Sequence, residues 1–113
     1  MPYRTQFLAY LHHYADKDLA AIAAMFADDI TLRDWNRAVT GKAAALSETA
    51  KNFAAAQTIE IEPLCLYANA DGVAGELRIV VDGVIELFVV DVLTFAADGR
   101  IQSIRAYLGR GDG

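Results

Sequence analysis

Cysteine is nearly absent from this chain. The lone Cys65 has no internal partner, so a disulfide-stapled fold is excluded. A single cysteine fits a reducing, cytoplasmic setting. Histidine is scarce as well, and two histidines with one cysteine make no convincing metal-ligand set. Basic residues are few: ten Lys and Arg stand against fifteen acids, for a net charge of -5. They are scattered, with no run to track a phosphate backbone, so nucleic acid is not an expected partner. No apolar stretch approaches the ~20 residues of a membrane span, so no membrane partner is expected. The opening Met1-Pro2-Tyr3-Arg4 lacks the charged, apolar and small-residue layout of a signal peptide.

What the chain does have is apolar content, 55% of 113 residues, with an ordinary 22% charged. That suffices for a buried core and predicts a single domain over residues 1–113. The first half reads as helical. Phe7, Tyr10, Leu11 and Tyr14 recur at helical spacing. Asp16 is the expected N-cap of a second helix, with Asp18 in its first turn and Leu19, Ile22, Ala23 and Phe26 as its buried stripe. Asp28-Asp29 is expected to end it, and Ile30 to Asp34 then alternates like a short strand. A third helix is predicted from Lys42 to about Ala54, with Phe53 on its apolar side. The second half reads as a meander of four strands, near 57–69, 73–82, 84–96 and 100–109. Asp71-Gly72, Asp82-Gly83 and Asp98-Gly99 separate them as hairpin signals. Pro63 should interrupt its ladder, and a bulge there would bring Leu64 and Leu66 onto the face of Ile61. Helices first and a meander after predict an α+β fold. Where the helices cover only part of the sheet, a hollow remains.

Three polar residues stand in apolar surroundings. Asp91 lies within Leu87-Phe88-Val89-Val90-Asp91-Val92-Leu93. Buried there without a partner, it would hold its proton near neutral pH and act as a hydrogen-bond donor; the alternative is an Asp facing outward or into a dimer seam. Asp34 ends the short strand beside Trp35, a reachable but partly desolvated position for a general base; it equally suits the first position of a turn, Asp34 to Arg37. Tyr10 on the first helix would bring its hydroxyl to Asp91 or to a ligand oxygen, or simply pack in the core. His12-His13 falls off the apolar face and reads as a solvated pair.

Taken together, these residues resemble a known pattern. The stretch from Asp16-Lys17-Asp18-Leu19 through Phe26-Ala27-Asp28-Asp29-Ile30-Thr31-Leu32-Arg33-Asp34 resembles the ketosteroid-isomerase branch of the NTF2-like (SnoaL-like) fold family. So does the run from Val90-Asp91-Val92 through Gly99-Arg100-Ile101 to Tyr107-Leu108-Gly109. The resemblance implies a cone of three N-terminal helices on a strongly curved antiparallel sheet that encloses an apolar pocket. It implies Asp34 as the base that takes a proton beside a carbonyl, with Tyr10 and Asp91 donating to the dienolate oxygen, and no cofactor. Trp35, Phe53 and Leu93 are expected to line the walls around a small apolar molecule. Family members often pair through the outer sheet face, where Arg105 and Tyr107 fall, so a homodimer is expected.

Two sequence features bear on the acids. Arg37 is placed to pair with Asp34. With Asp82-Gly83 as a two-residue turn, Val80 faces Ile85, Arg78 faces Leu87 and Glu76 faces Val89. Arg78 would then share a face with Asp91 and hold it ionised, unless a bulge between Glu86 and Asp91 reverses the parity. The functional readings are therefore a cofactor-independent isomerase or lyase, a non-catalytic small-ligand-binding dimer, and a polyketide-cyclase-like enzyme keeping a single catalytic acid.

Overall fold

The computed structural model describes residues 3–109. The apolar stripe of the first helix, α1 (Tyr3–Ala15), buries Phe7, Tyr10 and Leu11. The second, α2 (Leu19–Met25), is capped by Asp18, whose side chain accepts from the Ala21 N–H at 3.1 Å. Asp16, the expected cap, instead meets His12 on the surface. The helix also stops earlier than Asp28-Asp29. Phe26 is extended, and strand β1 (Phe26–Arg33) begins there. Phe26 is fully buried, as the stripe predicts, but it belongs to β1 and not to the helix. A short β2 (Ala38–Thr40) returns beside β1, and α3 (Lys42–Ala55) follows. Two strands thus lie between the second helix and the third.

The predicted meander forms β3 (Ile59–Ala68), β4 (Gly72–Val81), β5 (Ile85–Phe95) and β6 (Ile101–Leu108). Among the described residues all six strands make one sheet, in the order β2-β1-β6-β5-β4-β3. The sheet is not wholly antiparallel, because β1 runs parallel to β6. α1 packs on β3 and β4, and α3 packs on β1, so the helices cover one face. Phe7, Ile22, Phe26, Ile30, Leu93 and Ile101 form the fully buried centre between them.

Two local devices set which side chains face the helices. In β3 the register shifts between Pro63 and Cys65, as expected where proline cannot donate to the ladder. The shift carries Leu66 to the inner side with Ile61, but leaves Leu64, the extra residue, 47% exposed. At the β4–β5 turn, Asp82 and Gly83 both have positive φ, and Val81 pairs with Ile85 rather than with Val84. Val84 is an additional residue in the connection, and its side chain points to solvent. It reverses the parity of the whole hairpin.

Gly75 on β4 permits close packing. A methyl group there would lie 2.5 Å from Phe7 Cζ and 2.9 Å from Leu66 Cδ2. Gly75→Ala is therefore expected to destabilise the fold by about 1–3 kcal/mol through overpacking, measured by urea denaturation.

Candidate functional site

Asp91 belongs to a strand whose buried residues Val89 and Leu93 lie two positions to either side, so all three point to the helix-covered face. Its cross-strand neighbours are Gly75 on β4 and Ala106 on β6. Both are too small to fill the space above it, and neither has a polar side chain. Among the described residues the Asp91 carboxyl has no hydrogen bond and no ion pair. Burial alone pushes its pKa from 3.8 to about 7.

The feared partner is elsewhere. With Val84 inserted in the turn, Arg78 faces Phe88 and lies on the opposite side of the sheet from Asp91. Its guanidinium pairs there with Glu86, and with Glu62 at 3.8 Å. The expectation that Arg78 shares the Asp91 face is thus corrected, by the longer turn rather than by a bulge in β5.

Asp91, Tyr10 and Asp34 all line one cavity of about 420 Å³. Its walls are mainly apolar and include Leu32, Ile61, Ile79, Leu87, Val89 and Ile104. Tyr10 is buried at 4% exposure on α1, and its hydroxyl has no hydrogen-bond partner among the described residues. Burial raises its pKa well above the ordinary value, with smaller contributions from Tyr14 and Asp91. It stays a protonated phenol, close enough to Asp91 to feel its charge.

Asp34 follows β1. Its Oδ1 accepts from the backbone N–H groups of Asn36 and Arg37, both at 2.7 Å, and its own N–H donates to the Arg37 carbonyl at 2.9 Å. Asp34 therefore starts a turn and faces the cavity at once. Its Oδ2 takes no hydrogen bond among the described residues. The Arg37 guanidinium reaches away to Glu48 at 3.3 Å, so it does not pair with Asp34.

Of the expected wall residues, Trp35 lines the cavity and is 45% exposed at its rim. Phe53 and Leu93 do not. Leu93 is wholly buried in the core, one inward step along β5 from Asp91 at the end the helices cover. Phe53 stands behind the wall, with its ring edge-on to Tyr14 at 4.9 Å between centroids. The residue before it, Asn52, reaches the cavity instead. Tyr14 is the site residue that periodicity alone missed. It lies one helical turn beyond Tyr10, and the apolar stripe already named it without giving it a role.

The arrangement offers a carboxylate oxygen at the rim and two protonated donors, a phenol and a carboxylic acid, at one apolar surface. Such a set can remove a proton from carbon and stabilise the resulting oxyanion.

The family model described as a SnoaL-like domain matches residues 7–104. A steroid Delta-isomerase from Nocardioides simplex is 37% identical over 106 residues, covering 91% of this chain and 86% of its own. Among solved structures, SalBIII is described as an epoxide hydrolase/cyclase-like enzyme with a role in pyran ring formation in the polyether salinomycin. It is 28% identical with a TM-score of 0.78, over 94% of this chain and 90% of that one. An NTF2-like protein from Cytophaga hutchinsonii superposes with a TM-score of 0.79 at 13% identity, over 94% and 88% of the two chains, a likeness of fold.

Proposed function

The chain belongs to the SnoaL-like domain family, and from that premise we propose that it is a cofactor-independent enzyme that moves a proton next to a carbonyl in a small apolar substrate. Asp34 Oδ2 takes the proton from the carbon beside the carbonyl. Tyr10 and Asp91 donate hydrogen bonds to the oxygen on which negative charge develops. Asp34 then returns the proton to a different carbon. Every group these steps need comes from the chain itself.

The observation that carries this reading is the pairing of two unpartnered donors. A carboxyl that burial keeps protonated to about pH 7 and a buried phenol line the same apolar cavity, and neither spends its hydrogen on the protein. Both groups open onto the cavity, where a ligand oxygen can accept their hydrogens. The likeness to a steroid Delta-isomerase supports the same chemistry.

A second reading draws on the likeness to SalBIII. The same two carboxyls would open an epoxide: Asp91 gives its proton to the leaving oxygen while Asp34 takes one from the attacking hydroxyl. In either reading the partner is a small apolar molecule. The outer sheet face, where Tyr107 is 54% exposed, serves to pair two copies in the cytoplasm.

Hydrogen exchange in deuterated water separates the readings. With a panel of β,γ-unsaturated ketones, the isomerase reading expects protein-dependent deuterium uptake at the carbon beside the carbonyl. Uptake with no ketone, together with ring closure of a hydroxy-epoxide, selects the second reading. Neither activity leaves a ligand-binding domain.

A further inference from the structure

Tyr10 and Tyr14 are four residues apart on α1 and so project from the same side of the helix, their rings tilted with centroids 5.8 Å apart. Both line the cavity that holds Asp91 and Asp34. Tyr14 differs from Tyr10 in having a polar neighbour. Asn52 on α3 donates from Nδ2 to the Tyr14 hydroxyl oxygen at 3.0 Å. That hydrogen bond uses an acceptor lone pair of the phenol and leaves its proton uncommitted. Among the described residues no acceptor takes that proton. The ring is fixed by its edge-on contact with Phe53, so the direction of the hydroxyl is set by packing as well as by Asn52.

We propose that Tyr14 is a second phenol donor of the site, polarised by Asn52, and that it gives its proton to an oxygen of the bound ligand. A hydroxyl that accepts a hydrogen bond becomes a stronger donor in turn. Tyr14 is thus a catalytic residue and Asn52 a positioning residue that acts through it. The ligand this serves is one whose oxygen carries or develops negative charge, an enolate or a phenolate. The electrostatics agree: burial is the largest influence on the Tyr14 hydroxyl and raises its pKa, the Asn52 hydrogen bond lowers it, and the charges of Asp91 and then Asp34 raise it. The phenol therefore remains a donor, in the same cavity as both carboxyls.

The inference rests on the reading that the cavity takes an oxyanion, and its test measures binding rather than turnover. The probes are planar naphthols of graded acidity, titrated against the quenching of Trp35, the single tryptophan, which stands at the rim. Tyr14→Phe keeps the ring and its contact with Phe53. It is expected to weaken binding about tenfold and to change how affinity depends on naphthol acidity, because a hydrogen bond to the charged oxygen is lost. A packing role would shift every naphthol equally. Asn52→Leu is expected to weaken binding in the wild type but to add nothing in the Tyr14→Phe background. Additive losses would overturn the coupling. Tyr10→Phe is the companion measurement. If Tyr10→Phe weakens binding and Tyr14→Phe does not, or shifts all probes uniformly, the role of Tyr14 is overturned while the oxyanion reading stands. If neither variant changes affinity, both are overturned.

Discussion

Asp34→Asn is expected to lower turnover of an enolisable ketone on the order of a hundredfold or more while leaving ligand affinity nearly unchanged. The reason is the division of labour between the two carboxylate oxygens. Oδ1 is engaged by the Asn36 and Arg37 N–H groups, and an asparagine carbonyl oxygen can accept both in the same place. The turn, the position of Trp35 and the Arg37–Glu48 contact then survive the substitution. Only Oδ2 is replaced, by an amide nitrogen that cannot take a proton. General-base catalysis is worth about 10²–10⁴ in rate, and the loss falls on the transition state. Steady-state kinetics with a separate binding titration checks this. A parallel loss of affinity and turnover would mean that Asp34 holds the ligand rather than the proton.

Asp91→Asn should act on stability and on the pH profile together. In the unfolded chain the carboxyl titrates near 3.8, and in the fold near 7. Between those values the folded protein keeps a proton that the unfolded chain has released. The wild type therefore loses stability as pH rises through this window, and above about pH 7 it bears the full penalty of an ionised group in an apolar site. The difference corresponds to about 4 kcal/mol as an upper bound. Asparagine does not titrate here. The stability of Asp91→Asn relative to wild type should therefore increase between pH 4 and pH 8 by up to about that amount. Comparing the two pH values cancels any constant cost of burying the amide. Urea denaturation across the range measures it, and a gap that does not move with pH would contradict the burial of the charge. Activity should follow the same group: wild-type turnover falls as pH rises through about 7, because the donor is lost, and Asp91→Asn lacks that limb.

Much of this was legible in the residues because the signals were local. Aspartate followed by glycine marks a turn through its backbone preference alone, and Asp82-Gly83 does take positive φ at both positions. Alternation placed Asp91 between Val89 and Leu93 on one face, and helical spacing placed Tyr10 inside. What escaped was set by counting over distance. One residue, Val84, decides whether Arg78 or Ile79 shares a side with Asp91, and no propensity distinguishes a two-residue turn from a turn with one residue more. Phe53 and Leu93 are inward-facing, as their spacing predicts. Whether an inward residue meets core or cavity depends on how far the helices extend over the sheet, which no single strand records. The parallel pairing of β1 with β6 joins segments some seventy residues apart and has no local signature. Tyr14 shows a further limit: its importance comes from Asn52, 38 positions away.

That parallel pairing also governs when the site comes into being. The strand leading to Asp34 touches the strand of Asp91 only through β6, which lies between them in the sheet. β6 (Ile101–Leu108) follows both of those strands in the chain. Until β6 docks, β1 keeps one edge unpaired and the two acids are not held together. Without β6, Asp91 also loses its neighbour Ala106 and the part of the cavity wall that Ile104 and Ala106 supply. A chain cut before residue 101 is therefore expected to lack the cavity in which Asp34 and Asp91 meet.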